Sequence, residues 1–256
     1  IPDKSVEESI SVQGRQENLK NKVSLIKTTS EINSQADFVK FTPIKISALI
    51  CPESLETFSS VWNSISSESP DHRVVEDRIR EQYPELMASL DEGIHNIQQL
   101  CEAAKSVKMS ILVDAEESTR QPAIDFVGRE LSKRTNLPGE TPTVYHTYQM
   151  YLLRSPDVVR RDMEAAENEG YVFAAKLVRG AYRISEGRRE MEGRVRILQS
   201  SKEDTDRVYD EAVTAILERI ASTTTRGVSG FSSSAAIMIA THNTDSVVGA
   251  VKTMER

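Results

Sequence analysis

Apolar and polar positions alternate in blocks along this chain, and the blocks read as strand followed by helix, five times over. The strand candidates are Phe41 to Leu49, Ser110 to Glu116, Thr143 to Gln149, Val172 to Ala175 and Ala235 to Ala240. Their near-continuous apolar character predicts parallel strands covered on both faces. Between them the spacing turns helical. Ile94, Ile97, Cys101 and Ala104 share one face of a helix that Pro84 separates from its upstream neighbour. Ala123, Phe126, Val127 and Leu131 form the buried face of the next helix. Ser155 is placed to cap a third, with Pro156 in its first turn and Gly170 at its end. Tyr209, Ala212, Val213, Ile216, Leu217 and Ile220 mark the clearest amphipathic stripe. Asn243 or Thr244 is suited to cap a last helix, expected to bury Val247, Val248 and Val251.

Other segments carry weaker patterns. Residues 1–36 are polar without a clear period and read as an extension or linker, with a short helix expected around Lys20–Ile26. Residues 37–256 read as a partial barrel domain with a helical insertion at about 53–107, of which 53–75 looks like a Ser- and Pro-containing loop. The charged stretch Arg183–Asp204 reads as a lid or as a solvated insertion, and Ser222–Ser234 as a loop.

Strand–helix repetition of this kind is α/β. With no glycine-rich phosphate loop after the first strand, it suits about five units of a distorted (β/α)8 barrel better than a dinucleotide fold. Chemistry in such barrels sits at the C-terminal ends of strands. Lys45, Asp114, Glu116, Gln149, Arg179, Tyr182, His242 and Asn243 fall there. Each also has an ordinary explanation. An Asp after a strand is as often a helix cap, a Tyr is more often packing, and His242 with Asn243 suits a buried hydrogen-bonded pair. Lys45 reads as lying inside an apolar strand, where an ammonium needs an anion, and Asp114 on the neighbouring strand is the candidate.

Composition narrows the chemistry. A net charge of −7 offers no basic footprint for nucleic acid. No apolar run reaches the roughly 18 residues that span a bilayer. Cys51 and Cys101 lie far apart, which excludes a disulfide framework or a Cys-rich zinc site and fits a reducing compartment. No His-x-His or nucleophile-elbow spacing occurs, so no metal is expected. A donor-rich site with one or two carboxylates fits a polar, anion-rich ligand such as a redox cofactor.

Five ordered motifs carry a resemblance. They are Lys45-Ile46-Ser47-Ala48-Leu49, Ile111 to Glu116, Thr147-Tyr148-Gln149, Lys176-Leu177-Val178-Arg179-Gly180-Ala181-Tyr182 and Ala240-Thr241-His242-Asn243. In this order they resemble the mitochondrial proline dehydrogenases of eukaryotes, over residues 41–256. The resemblance implies a barrel that binds FAD and oxidises L-proline to Δ1-pyrroline-5-carboxylate, passing electrons to ubiquinone. It implies the matrix side of the inner membrane, with a peripheral membrane contact. Gln149, Lys176, Val178, Gly180 and His242 match cofactor positions. Lys45, Asp114, Leu177, Ala181 and Tyr182 match substrate positions, and Lys45, Asp114 and Tyr182 are the catalytic candidates. Arg179 takes a lesser role, and Glu186 matches an acidic position of open role. The family continues beyond the position of Arg256 with three more strands and a helix bearing an Arg-Arg pair. The chain, which begins at Ile1, is therefore expected to be a piece of a longer protein, with weak flavin retention by itself. A non-catalytic fragment serving as partner or regulator is the alternative, and another flavin barrel, of the methylenetetrahydrofolate reductase kind, a more distant one.

Overall fold

The computed structural model describes residues 11–36, 40–69, 71–193, 195–227 and 230–255. Two compact units divide the chain, Ile1–Leu131 and Ser132–Arg256.

The first unit begins with a helix rather than a linker. α1 (Val12–Ala36) runs 25 residues, and of the expected extension the first ten lie outside the described residues. Its buried positions Asn18, Lys22, Ile26 and Thr29 repeat every three or four residues, but only one of them is apolar. A hydrophobic period therefore could not reveal the stripe. α1 packs on α4 (Pro84–Ser106). β1 is short, Phe41–Ile44, and breaks into a 3-10 turn at Ile46–Ala48. Lys45 thus follows the strand instead of sitting within it. β1 pairs in parallel with β2 (Ser110–Val113), Ile44 opposite Val113.

The expected loop at 53–75 is mostly helix: α2 (Pro52–Ser66), then the first residues of α3 (His72–Gln82). Leu55, Phe58, Ser59, Trp62 and Ile65 are its buried face, with Pro52 at the first turn. Phe58 stacks on Trp62 at 5.6 Å between centroids and meets Phe126 at 5.0 Å. Each large apolar side chain so buried contributes about 1.5–3 kcal/mol. α4 buries Ile94, Ile97, Cys101 and Ala104 together, as their spacing requires. α5 (Gln121–Thr135) buries Ala123, Phe126, Val127 and Leu131 completely.

In the second unit three parallel strands neighbour one another: β3 (Val144–Gln149), β4 (Phe173–Val178) and the strand Ala235–Ile239. Their helix-facing side chains, Tyr148, Phe173, Ala175, Leu177 and Ala235, join one core with α6 (Ser155–Glu169) and α8 (Lys202–Thr223). α7 (Arg183–Met191) occupies much of the charged segment, and its Glu186 is fully buried. The loop after α8 holds a small antiparallel hairpin, β5 (Thr225–Gly227) with β6 (Gly230–Ser232), so Ala235–Ile239 is β7. Ser155 does not cap α6. Its hydroxyl donates to the Gln149 carbonyl at 2.6 Å, tying the helix to the end of β3. Gly170, at φ 75°, closes α6 in the left-handed conformation that glycine tolerates. Asn243 caps α9 (Thr244–Met254) by accepting from the Ser246 N–H. Val247, Val248 and Val251 are not buried as expected. They are 44–48% exposed, and α9 turns Ser246 and Ala250 inward.

Candidate functional site at the strand ends

Asn136 sets the far end of β3 and β4. Its carboxamide oxygen accepts from the N–H groups of Thr143 and Val144, both at 2.9 Å, and its amide donates to the carbonyls of Val144 and Val172. Register follows from there: Thr147 lies opposite Lys176, and Gln149 opposite Val178. Because successive side chains of a strand alternate faces, Thr147, Gln149, Lys176 and Val178 share the face opposite Tyr148 and Leu177. Met238 of β7, opposite Lys176, extends that face.

This face combines donors with apolar surface. Thr147 is buried, and its hydroxyl has no hydrogen-bond partner among the described residues. Gln149 is also buried, and its carboxamide oxygen accepts from the Ala181 N–H at 3.2 Å. The Lys176 side chain is half-buried. Two expected site residues therefore connect directly, Gln149 and Ala181.

Gly180 shapes the turn that follows β4. Its φ of 142° is a conformation that side chains rarely adopt, and a Cβ there would lie 1.7 Å from the Tyr151 ring. The bare backbone lets Tyr151 close over the turn, and the Tyr151 N–H donates to the Arg179 carbonyl at 2.7 Å. Tyr182 follows, half-buried, at the start of α7.

Arg179 has a larger role than its sequence position suggests. Its guanidinium bonds the Asp206 carboxylate, the Thr241 hydroxyl at 2.8 Å and the Ser246 hydroxyl at 2.9 Å. It also lies 4.3 Å from the Tyr209 ring centroid. The planar fork thus fastens the end of β4 to α8, to the segment after β7 and to α9. Asp206 is held below the usual carboxylate range, first by the Lys202 hydrogen bond and then by Arg179. Burial pushes the Tyr209 phenol up to about 12. Its hydroxyl donates to the Leu177 carbonyl at 3.3 Å.

Two expectations change here. Leu177 is fully buried in the core with Tyr209, on the helix-facing side of β4, so it packs the fold and does not line the face that carries Lys176. His242 is exposed rather than half of a buried pair, and Asn243 is engaged as the α9 cap.

In the first unit, Lys45 and Asp114 stand just past the ends of β1 and β2, both half-buried. They line one cavity of about 20 Å³ together with Asn18, Lys22, Pro43 and Ala48. Among the described residues, Lys45 and Asp114 share this cavity without forming the expected ion pair with each other. Lys45, outside the strand and half in solvent, escapes the desolvation that would have required one. Glu116 is buried and structural: it accepts from the Ser47 N–H at 3.1 Å, and its own N–H donates to Gln121. Among the described residues no cluster of His, Cys, Asp or Glu could hold a metal ion.

Solved structures share this fold. Proline utilization A of Bdellovibrio bacteriovorus, inactivated by N-propargylglycine, superposes with a TM-score of 0.71 at 16% identity, over 97% of this chain and 23% of its own. A Bradyrhizobium japonicum proline utilization A mutant gives 0.71 at 19%. The architecture is accordingly α/β of the (β/α)8 barrel type, with five strand–helix units among the described residues. In sequence, the chain is 34% identical over 157 residues to human mitochondrial proline dehydrogenase 1, covering 61% of this chain and 24% of that protein. To mouse hydroxyproline dehydrogenase it is 36% identical over 176 residues, 68% of this chain and 36% of the relative. The chain spans about a quarter to a third of the length of these curated relatives. The proline dehydrogenase family model matches residues 4–256, α1 included, and the chain belongs to the proline dehydrogenase family.

Proposed function

We propose that the protein to which this chain belongs is a mitochondrial flavoenzyme that oxidises L-proline to Δ1-pyrroline-5-carboxylate and passes the electrons to ubiquinone at the inner membrane. The observation that carries this reading is the shared face of Thr147, Gln149, Lys176 and Val178 at the ends of β3 and β4. Its donor set suits a flat, hydrogen-bonding heterocycle. A buried hydroxyl with spare bonding capacity, a carboxamide and an ammonium lie beside the apolar Val178 and Met238. FAD, when bound, supplies the acceptor for the hydride that leaves the proline ring carbon next to nitrogen.

The chain's own residues then orient and polarise. Lys176 would hold a positive charge against the bound cofactor. Gln149, fixed through Ala181 and carrying its own amide donors, holds the heterocycle's edge. Val178 is assigned to the flat of the ring, and Gly180 to the turn beside it, where Tyr151 closes on the bare backbone. His242, exposed at the end of β7, is free to meet the cofactor's polar tail. Lys45 is assigned to the substrate carboxylate, and Asp114 to the amine side of the ring. Tyr182 and Ala181 are assigned to the pocket wall. Orientation of this kind, rather than a covalent intermediate, supplies the rate. Residues 37–256 form the partial dehydrogenase barrel in this reading.

The test is the visible spectrum of the full-length protein under anaerobic conditions. A flavin band bleached by L-proline is the expected outcome. A flavin band that proline leaves unchanged, or no flavin at all, would remove the reading.

A further inference from the structure

α1 packs on α4, yet two of its buried residues are polar and reach the backbone around Lys45. Lys22 is 8% exposed, and its ammonium donates to the Pro43 carbonyl at 2.9 Å. Asn18, one turn earlier and equally buried, donates to the Ala48 carbonyl at 3.0 Å. These two bonds bracket Lys45: one acceptor lies two residues before it, the other three residues after. Pro43 has no N–H to give a further strand, so the β1 edge is open to a side chain from α1. Lys22 also lines the 20 Å³ cavity that it shares with Lys45 and Asp114, in which Asp114 is the acidic group.

Burying an ammonium against a backbone carbonyl is a costly way to fasten a helix, since a leucine would pack there at no electrostatic cost. The charge therefore has a use. The cavity has room for about one water molecule and not for a proline ring, and the Lys22 ammonium is already committed to the Pro43 carbonyl. It acts on the groups that share the cavity with it.

We infer that Lys22 is a positioning residue. Its ammonium fixes the backbone on the N-terminal side of Lys45, and its charge balances Asp114, so that the two side chains stand ready for a zwitterionic substrate. The inference rests on the proposed assignment of Lys45 and Asp114 to proline. It makes α1 a working part of the site.

Three variants of the full-length enzyme separate charge from support. Lys22→Gln keeps an N–H donor for Pro43 without the charge, Lys22→Arg keeps the charge, and Lys22→Met removes both. The readouts are KM and kcat for L-proline, the melting temperature, and the Kd of cyclopentanecarboxylate, which has the ring and the carboxylate but no amine to oxidise. Loss of one buried charged partner predicts a rise of about tenfold or more in KM and Kd for Lys22→Gln, with kcat changed far less. Lys22→Arg should recover most of the loss. If Lys22→Gln matches the wild type in KM and Kd, Lys22 is only a fastener and the inference is overturned, whatever becomes of Lys22→Met. A wild type that does not oxidise proline removes the functional reading and this inference with it, an outcome distinct from an active wild type with an indifferent Lys22→Gln.

Discussion

Asn136 shows how much one side chain can settle. It is fully buried, and its carboxamide makes four bonds to the backbone at the starts of β3 and β4, while its own carbonyl accepts from the Val172 N–H. Those bonds fix the register that puts Thr147 beside Lys176. Asn136→Ala strands two N–H groups and two carbonyls in a dry site. At about 1–3 kcal/mol for each unsatisfied group, with partial relaxation, a loss of about 3 kcal/mol or more is expected. Urea unfolding would measure it, and a loss under about 1 kcal/mol would show that water reaches the site. Asn136→Asp is a sharper probe. It keeps the acceptor for Thr143 and Val144 but sets a carboxylate oxygen against the carbonyls of Val144 and Val172, so at neutral pH it should cost at least as much as Asn136→Ala and recover part of the loss as the carboxyl is protonated. No sequence pattern announces Asn136, because its partners are backbone groups, and backbone groups leave no trace in side-chain spacing. The strand-end residues Asp114, Gln149 and Lys176 were legible for the opposite reason: each ends or interrupts an apolar run with a polar group. Arg179 was legible as a cation but not as a clamp, since Asp206, Thr241 and Ser246 are 27 to 67 residues away.

Elements were legible where burial is apolar and illegible where it is polar. α4, α5 and α8 follow their hydrophobic stripes. α1 buries Asn18, Lys22 and Thr29, so its stripe is invisible to a hydrophobic reading, and α2 was obscured by its serines. One of those serines does specific work. Ser59, on the buried face of α2, accepts from the Ala123 N–H at 3.1 Å, and Ala123 lies in the first turn of α5, where N–H groups lack partners within the helix. α2 therefore caps α5 from 64 residues away. Ser59→Ala should destabilise the fold by about 1–2 kcal/mol, as loss of a local cap does, while leaving α2 itself helical. Ser59→Thr, which restores the oxygen, should recover part of this. Hydrogen exchange at the start of α5 reads the effect directly: faster exchange confined to residues near Ala123 is expected. Uniform acceleration along α2 would mean that the serine packs rather than caps. Last, α9 shows the limit of periodicity. Its Val247, Val248 and Val251 have the spacing of a buried face, yet the structure turns Ser246 inward to Arg179 instead. A valine stripe records only that a surface is apolar, and a charge-assisted bond to a buried hydroxyl can set the helix's rotation against it.

At the scale of the whole molecule, the two units share a dependence on pH that their interiors dictate separately. Cys101 in α4 is completely buried, and desolvation, with Glu102 nearby, pushes its thiol from about 9 up to about 12. Tyr209 in α8 is pushed from 10 to about 12, chiefly by burial, against the lowering influence of Arg179. Both groups are neutral when protonated, and both hold their protons more tightly folded than unfolded. Their contribution to stability is therefore complete below the unfolded values near 9 and 10, and it is lost as pH rises through those values toward 12. The midpoint of urea unfolding should stay level from neutral pH to about 9 and fall steadily beyond it. General self-repulsion also grows in alkali for a chain already at −7, as lysines lose their protons. The paired variants Cys101→Ala and Tyr209→Phe separate the two causes. Each costs some stability at pH 7, Tyr209→Phe through its bond to Leu177, but each should flatten the slope between pH 9 and 11, because the titrating group is gone. Repulsion alone predicts unchanged slopes in both. A thiol count at pH 8 adds an independent check on the first unit. Half-exposed Cys51 should react in the native protein, and Cys101 only after unfolding. A native count of two would mean that the α4 interior opens freely, and the alkaline slope would then have to be carried by Tyr209 alone.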